Sequence, residues 1–290
     1  MNLKRFLASV CASLCLLLGL FANARADPGA IPASISPESQ PKAINIARET
    51  MQSLGIDKLN EARYLRFDSE VNRNGTMTTM HHLWDRNTGR YRVEWEAENG
   101  KPVVALFNVN SQSGTIYIDD ERVDEEEAVD EMLRQAQQRF INDSHCLLAP
   151  FKLLDVGIKL EWTGAEMIDG VLHDVLHASF KNASFSPGDQ YWFYIDEHSG
   201  RVDRWAFFPQ GYKGKTSLDK ATVWDWKDWR SFGKGFWLSL ERLKLDKTTA
   251  LRFPVVAVLD QVSDEVFEDA NVDMPEPPLP QVPNTGAKNE

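Results

Sequence analysis

Six histidines, one cysteine beyond residue 26 and 43 acidic side chains are the groups here that could do chemistry, and their spacing limits which. His173 and His177 stand four apart in VLHDVLHASF, a spacing that places two metal ligands on one face of a helix. The segment alternates as a strand does, however, and there four residues span about 13 Å, so one ion would need ligands from a further element. His81 and His82 are neighbours and point to opposite faces of any strand that carries them. Cys146 follows His145; adjacent side chains are poorly placed as nucleophile and base, and a buried lone thiol behaves as a small apolar group. Glu161, Glu166, Asp174 and Asp196 are the carboxylates that could serve glycoside hydrolysis, but nothing in their spacing puts two together. The acidic run DDERVDEEE at 119–127 lacks the spaced ligands and glycine of a calcium loop and reads as a solvated helix start. G-x-S-x-G, a phosphate loop and H-E-x-x-H do not occur. The expectation is a non-enzymatic chain with no catalytic residue, metal or cofactor.

The first 26 residues have a basic start (Lys4, Arg5), an apolar run from about Phe6 to Phe21, and Ala24-Arg25-Ala26. That pattern predicts a secretory signal cleaved after Ala26, and a periplasmic or secreted product. Without it the chain carries 29 Lys+Arg against 43 Asp+Glu, a net of −14, which repels nucleic acid and anionic lipid headgroups. Cys146 is then the only cysteine, so no internal disulfide forms. Residues 27–41 and the Pro-rich 271–290 read as linker and tail. The stretch between them, 42–270, fits one domain, expected to be a monomer.

Within that domain a helix over 42–56 is predicted from Ile44, Ala47, Met51 and Leu54, with Gly55 as its stop. From Ala62 the period changes to two. Strands alternate with the short polar turns NRNG (72–75), DRNTG (85–89), ENGK and SQSG, the signature of an antiparallel meander. One helix interrupts it over 123–141, with Val129, Met132, Leu133, Ala136 and Phe140 on one stripe and an acidic first turn. Pro150 marks the following SHCLLAPFKLL as a short connection. Strands then resume, for about eleven in all. A sheet that long curls as its twist accumulates. The predicted fold is α+β: a strongly curved antiparallel sheet, a half-open barrel, with helices over its concave face.

Fourteen aromatics fall between Tyr191 and Trp237, and QYWFYID carries four in a row. Alternation sends some of them to each face of the sheet. They are either the bulk of an ordinary core or the lining of a concavity that takes an apolar ligand.

The order of elements resembles the LolA/LolB lipoprotein-carrier superfamily, including its secreted lipoprotein-sorting relatives. The similar stretches are MQSLGI at the end of the first helix, HLWDRNTGRYRVEW, GTIYIDD, YWFYIDEHSGRVDRWAF, DWRSFGKGFWLSLERLKL and VSDEVFED, together spanning roughly 43–269. The resemblance implies a carrier or sensor of a lipid, a lipoprotein acyl chain or another apolar ligand. A periplasmic or outer-membrane protein would be its further partner, and nucleic acid would not. It also implies an arginine that locks a helical lid, for which Arg86 is the nearest match, with Asn87 where the family usually has proline. On this reading Trp95, Phe107, Trp162, Phe193, Trp224, Trp226 and Leu238 form the cavity wall, and Met132, Leu133 and Phe140 the inner side of the lid. A protein-interaction scaffold without a small ligand and a carbohydrate-active protein are the alternatives.

Overall fold

The computed structural model describes residues 36–180, 190–208, 218–233 and 235–277. The expected signal segment, most of the N-terminal linker and the tail from 278 onward lie outside them.

Helix α1 (Pro41–Ser53) starts on a proline, whose fixed φ suits a first turn. It stops where Gly55 turns left-handed at φ 84°, and a short second helix, α2 (Ile56–Glu61), follows. A Cβ at position 55 would lie 2.6 Å from the Gly235 carbonyl oxygen, so glycine is required there for close approach as well as for φ. The amide of Trp237 donates to the Leu54 carbonyl at 2.8 Å, fixing this corner to the sheet.

Five strands run up and down in order: β1 (Tyr64–Arg73), β2 (Thr76–Asp85), β3 (Arg90–Glu96), β4 (Pro102–Asn108) and β5 (Gly114–Ile118). The β1–β2 loop is Asn74-Gly75, both at positive φ, as a two-residue hairpin of this twist requires. A two-residue strand, β6 (Glu121–Arg122), precedes α3 (Glu126–Leu148). The Glu125 carboxylate caps α3 by accepting from the amides of Glu127 and Ala128. The helix is longer than its sequence suggested. It continues through Cys146 to Leu148, and Pro150 falls in the 3-10 turn Ala149–Lys152 beyond it, where a proline costs no helical hydrogen bond.

The second half comprises β7 (Ile158–Ile168), β8 (Val171–Phe180), β9 (Gln190–Asp196), β10 (Val202–Phe208), β11 (Thr222–Phe232), β12 (Phe236–Lys244), β13 (Thr249–Arg252) and β14 (Val256–Leu259). All 14 strands form one antiparallel sheet in the order β6-β5-β4-β3-β2-β1-β13-β12-β11-β10-β9-β8-β7, with β14 also paired to β1. The short strands β6 and β13 bring the count above the roughly eleven expected from alternation. The sheet does not close. Its β7 edge is covered by residues 36–40, where the Gln40 amide donates to the Leu160 carbonyl at 2.9 Å.

The aromatic strand β9 separates two cores. Tyr191, Phe193 and Ile195 belong to the main inner cluster, shared with α1 and α3. Trp192 and Tyr194 pack on the outer face with Val175, Ala206 and Phe208. A third cluster, also on the outer face, joins Tyr64 and Leu83 to Val266 and Phe267. There Arg92 donates to the carbonyls of Val266, Asp269 and Ala270 at 3.0 Å each, binding the C-terminal segment to the sheet.

Candidate functional site

The inner face is aromatic, and α3 crosses it, packing against β3, β4, β5 and β12. The helix is seated unevenly. From Asn142 to Leu148 every residue but Ser144 is buried, whereas Val129, Met132 and Leu133 are only half-buried. Phe140 marks the transition, with its ring edge-on to Tyr91 at 4.8 Å and to Trp84 at 5.1 Å. The Arg139 guanidinium lies 4.3 Å over Trp95.

Of the residues expected to form the wall, Trp95, Phe107, Phe193, Trp224, Trp226 and Leu238 are all buried in the inner cluster. They fall into two groups. Trp95 and Phe107 lie on β3 and β4 beside the stretch of α3 around Phe140: Trp95 is under Arg139, and Phe107 meets Tyr91 at 5.5 Å, which in turn meets Phe140. Phe193 and Trp226 flank Trp205 at 6.2 and 5.2 Å, near the deeply seated end of the helix. Trp162 stands apart and is half-buried. Its indole donates to Asp174 at 2.6 Å, and Lys42 of α1 lies 3.2 Å over its ring.

Arg86 donates to the carbonyls of Leu59 and Ala62, the latter at 2.7 Å. It therefore grips the end of α2 rather than α3. Burial lowers its pKa to about 10, and helix-terminal carbonyls are favourable acceptors for such a cation. The neighbouring Asp85 is pushed up by burial, but Arg63 and Arg90 outweigh that and hold it at about 2.

Residue spacing alone does not reveal the polar group that joins α3 to the sheet. Asp143 accepts from Ser69 Oγ at 2.9 Å and lies 3.0 Å from His82 Nε2, while Tyr91 Oη is 2.9 Å from His82 Nδ1. Burial, and secondarily the Asp143 charge, raise the Tyr91 pKa well above its ordinary value, so the phenol keeps its proton. Tyr91 then donates to Nδ1, and Nε2–H donates to Asp143. Ser, His and Asp are the residue types of a hydrolytic triad, but the order is wrong. Serine and carboxylate both meet Nε2, and the serine hydrogen goes to the aspartate, which leaves the imidazole no free nitrogen to act as base. All four side chains are buried. This arrangement fastens a helix.

Deeper along α3, His145 sits between Tyr191 at 5.8 Å and Trp205 at 6.2 Å, and burial lowers its pKa to about 3. Two residues before the helix ends, the Cys146 carbonyl accepts from Arg242 Nη2 at 2.8 Å.

His173, His177, His81 and Asp196 are each engaged locally. His173 lies 3.0 Å from Asp203, and His177 lies 3.2 Å from Glu161 and stacks on Trp192. His81 pairs with Asp68 at 2.8 Å, on the side of β2 opposite His82. Asp196 caps the Glu197–Ser199 turn through His198 N and Ser199 Oγ. Among the described residues no group of three His, Cys, Asp or Glu side chains could hold a metal ion, and no helix is long and apolar enough to cross a membrane.

No family model matches the chain, and no curated protein matches it. Among solved structures it is similar to a DUF1329 family protein from Desulfovibrio piger (9% identity, 76% of this chain and 96% of that one, TM-score 0.43). It is also similar to an outer membrane lipoprotein-sorting protein domain from Vibrio parahaemolyticus (10%, 75% and 97%, TM-score 0.39). A LolA superfamily protein from Nitrosomonas europaea is similar at 11% identity, over 75% of this chain and 96% of that one, with TM-score 0.40.

Proposed function

We propose that this chain is a non-enzymatic binding protein that holds an apolar ligand, a lipid or a lipoprotein acyl chain, between the inner face of its sheet and α3. The observation that carries this reading is the uneven seating of α3 over an aromatic face in a sheet that does not close. The helix is fastened at its C-terminal end by Asp143, while Val129, Met132 and Leu133 at the other end are half-buried. A helix held this way can lift the part that precedes Asn142 without losing its anchor, exposing Trp95 and Phe107 to a ligand. Trp95, Phe107, Phe193, Trp224, Trp226 and Leu238 are then the wall, and Met132, Leu133 and Phe140 the underside of the lid. Trp162, tied to Asp174 and covered by Lys42, belongs to the α1 end of that wall. Cleavage after Ala26 would deliver the chain to the periplasm or the exterior.

Titration with a fluorescent fatty-acid analogue tests this. Saturable uptake with quenching of tryptophan emission is the expected result, and no uptake at any concentration would overturn it.

One feature favours the scaffold as a second reading. The β7–β8 hairpin exposes the cross-strand partners Met167 and Leu172 side by side, at 65% and 41%, and clustered exposed apolar side chains mark contact surfaces. A protein that takes up no fatty acid but loses a partner on Met167→Ser would be that scaffold.

A further inference from the structure

Arg242 is 1% exposed on the inner face, its guanidinium 3.4 Å over the Trp226 ring. A charge so buried is ordinarily matched by a carboxylate. Among the described residues every acceptor it meets is uncharged. Nη1 donates to the Ser239 carbonyl at 2.9 Å, to Ser239 Oγ at 2.6 Å and to the Glu241 carbonyl at 3.2 Å, and Nη2 donates to the Cys146 carbonyl. Among the described residues nothing accepts from its Nε–H. Burial lowers its pKa to about 9, which still leaves it a cation at neutral pH.

Around this cation lies a second anomaly. Buried indole N–H groups usually find an acceptor. Those of Trp205, Trp224, Trp226 and Trp229 are buried and, among the described residues, have none. These are not scattered. Trp226 stacks with Trp229 at 6.2 Å and meets Trp205 edge-on at 5.2 Å, and Trp205 pairs with Trp224 across β10 and β11. Capping of α3 by Arg242 accounts for one hydrogen bond; it does not account for five unmatched donors in one buried aromatic cluster.

We propose that this donor cluster, Arg242 with the indoles of Trp205, Trp224, Trp226 and Trp229, receives the anionic head of an amphiphilic ligand, a carboxylate or phosphate carried on an acyl chain. An anionic head supplies only acceptors, which this cluster lacks, and the aromatic rings supply the apolar surface its chain requires. The inference rests on the ligand-binding reading above and narrows it: the site discriminates by charge as well as by chain. The net negative surface selects against anionic membranes, so the ligand is taken as a single molecule and not as a bilayer.

Calorimetric titration of the protein with hexadecanoate, hexadecyl phosphate and methyl hexadecanoate, each below its aggregation threshold, tests it. At least one anionic chain should bind about tenfold or more tightly than the ester, since hydrogen bonds to a charged group carry that much in a desolvated site. Which anion binds better tells a free fatty acid from a phospholipid head. Arg242→Met should retain ester binding and lose the preference. Equal affinity of the native protein for all three would overturn the proposal while leaving the ligand-binding reading intact. Binding of none would overturn both. The series on the native protein decides even if Arg242→Met does not fold.

Discussion

Asp143 on α3 lies 3.0 Å from His82 Nε2 on β2, so a buried carboxylate, and not apolar packing alone, sets where the helix rests on the sheet. The two residues are 61 positions apart, and the bond between them closes the inner face at its deep end. Removing the carboxylate leaves the Ser69 hydroxyl and the imidazole N–H buried without their acceptor. Asp143→Ala should therefore lower the unfolding free energy by about 3 kcal/mol, read from urea denaturation. A change below about 1 kcal/mol would mean the network does not hold the helix.

The histidine two residues on makes a pH prediction. His145 titrates near 3 when folded, against an ordinary 6.5, because burial disfavours its charged form. As pH falls below 6.5 the unfolded chain takes a proton that the folded chain refuses. Stability present at neutral pH is thus lost towards pH 3, by at most about 1.4 kcal/mol per pH unit. His81, whose pKa is raised by its hydrogen bond to Asp68, works in the opposite direction. His145→Leu should flatten the pH dependence between 6.5 and 4 relative to the native protein. Parallel profiles would contradict this assignment.

Phe140→Asp sets a carboxylate against the Trp84 and Tyr91 rings, which lie about 5 Å from Phe140. The first half of α3 should loosen, with faster amide exchange there and fatty-acid uptake weakened about tenfold. Unchanged uptake with the fold intact would remove α3 from the role of lid.

Arg86→Ala strips the donor from the Leu59 and Ala62 carbonyls. A loss of about 1–3 kcal/mol is expected, with amide protection falling in α2 and not in α3. Loss of protection in α3 as well would make Arg86 the lock of the main lid.

Much of the sheet was legible because a meander writes itself locally. Asn74-Gly75 and the alternation of β1 to β5 need only neighbouring residues to specify them. The end of α3 was not legible, for a physical reason. Its apolar stripe of Val129, Met132, Leu133, Ala136 and Phe140 runs into Asn142, which accepts from Gln138 of the same helix, and Asp143, whose partners Ser69 and His82 come from distant strands. A polar residue at an inward position reads as a boundary until its partner is known. Alternation correctly separated His81 from His82, yet it could not show that the inward one would meet Asp143, which takes the curvature of the whole sheet. The same holds for Arg242: PHE-LEU-LEU-ARG at alternate positions of β12 shows only that a cation shares a face with Phe236, Leu238 and Leu240.

The central claim is that an apolar ligand lies between α3 and the sheet, and native mass spectrometry of the protein, followed by solvent extraction and lipid analysis, tests it most directly. A co-purifying acyl species near one-to-one occupancy is the predicted result. A clean unliganded mass, with no uptake of added fatty acid, would contradict it.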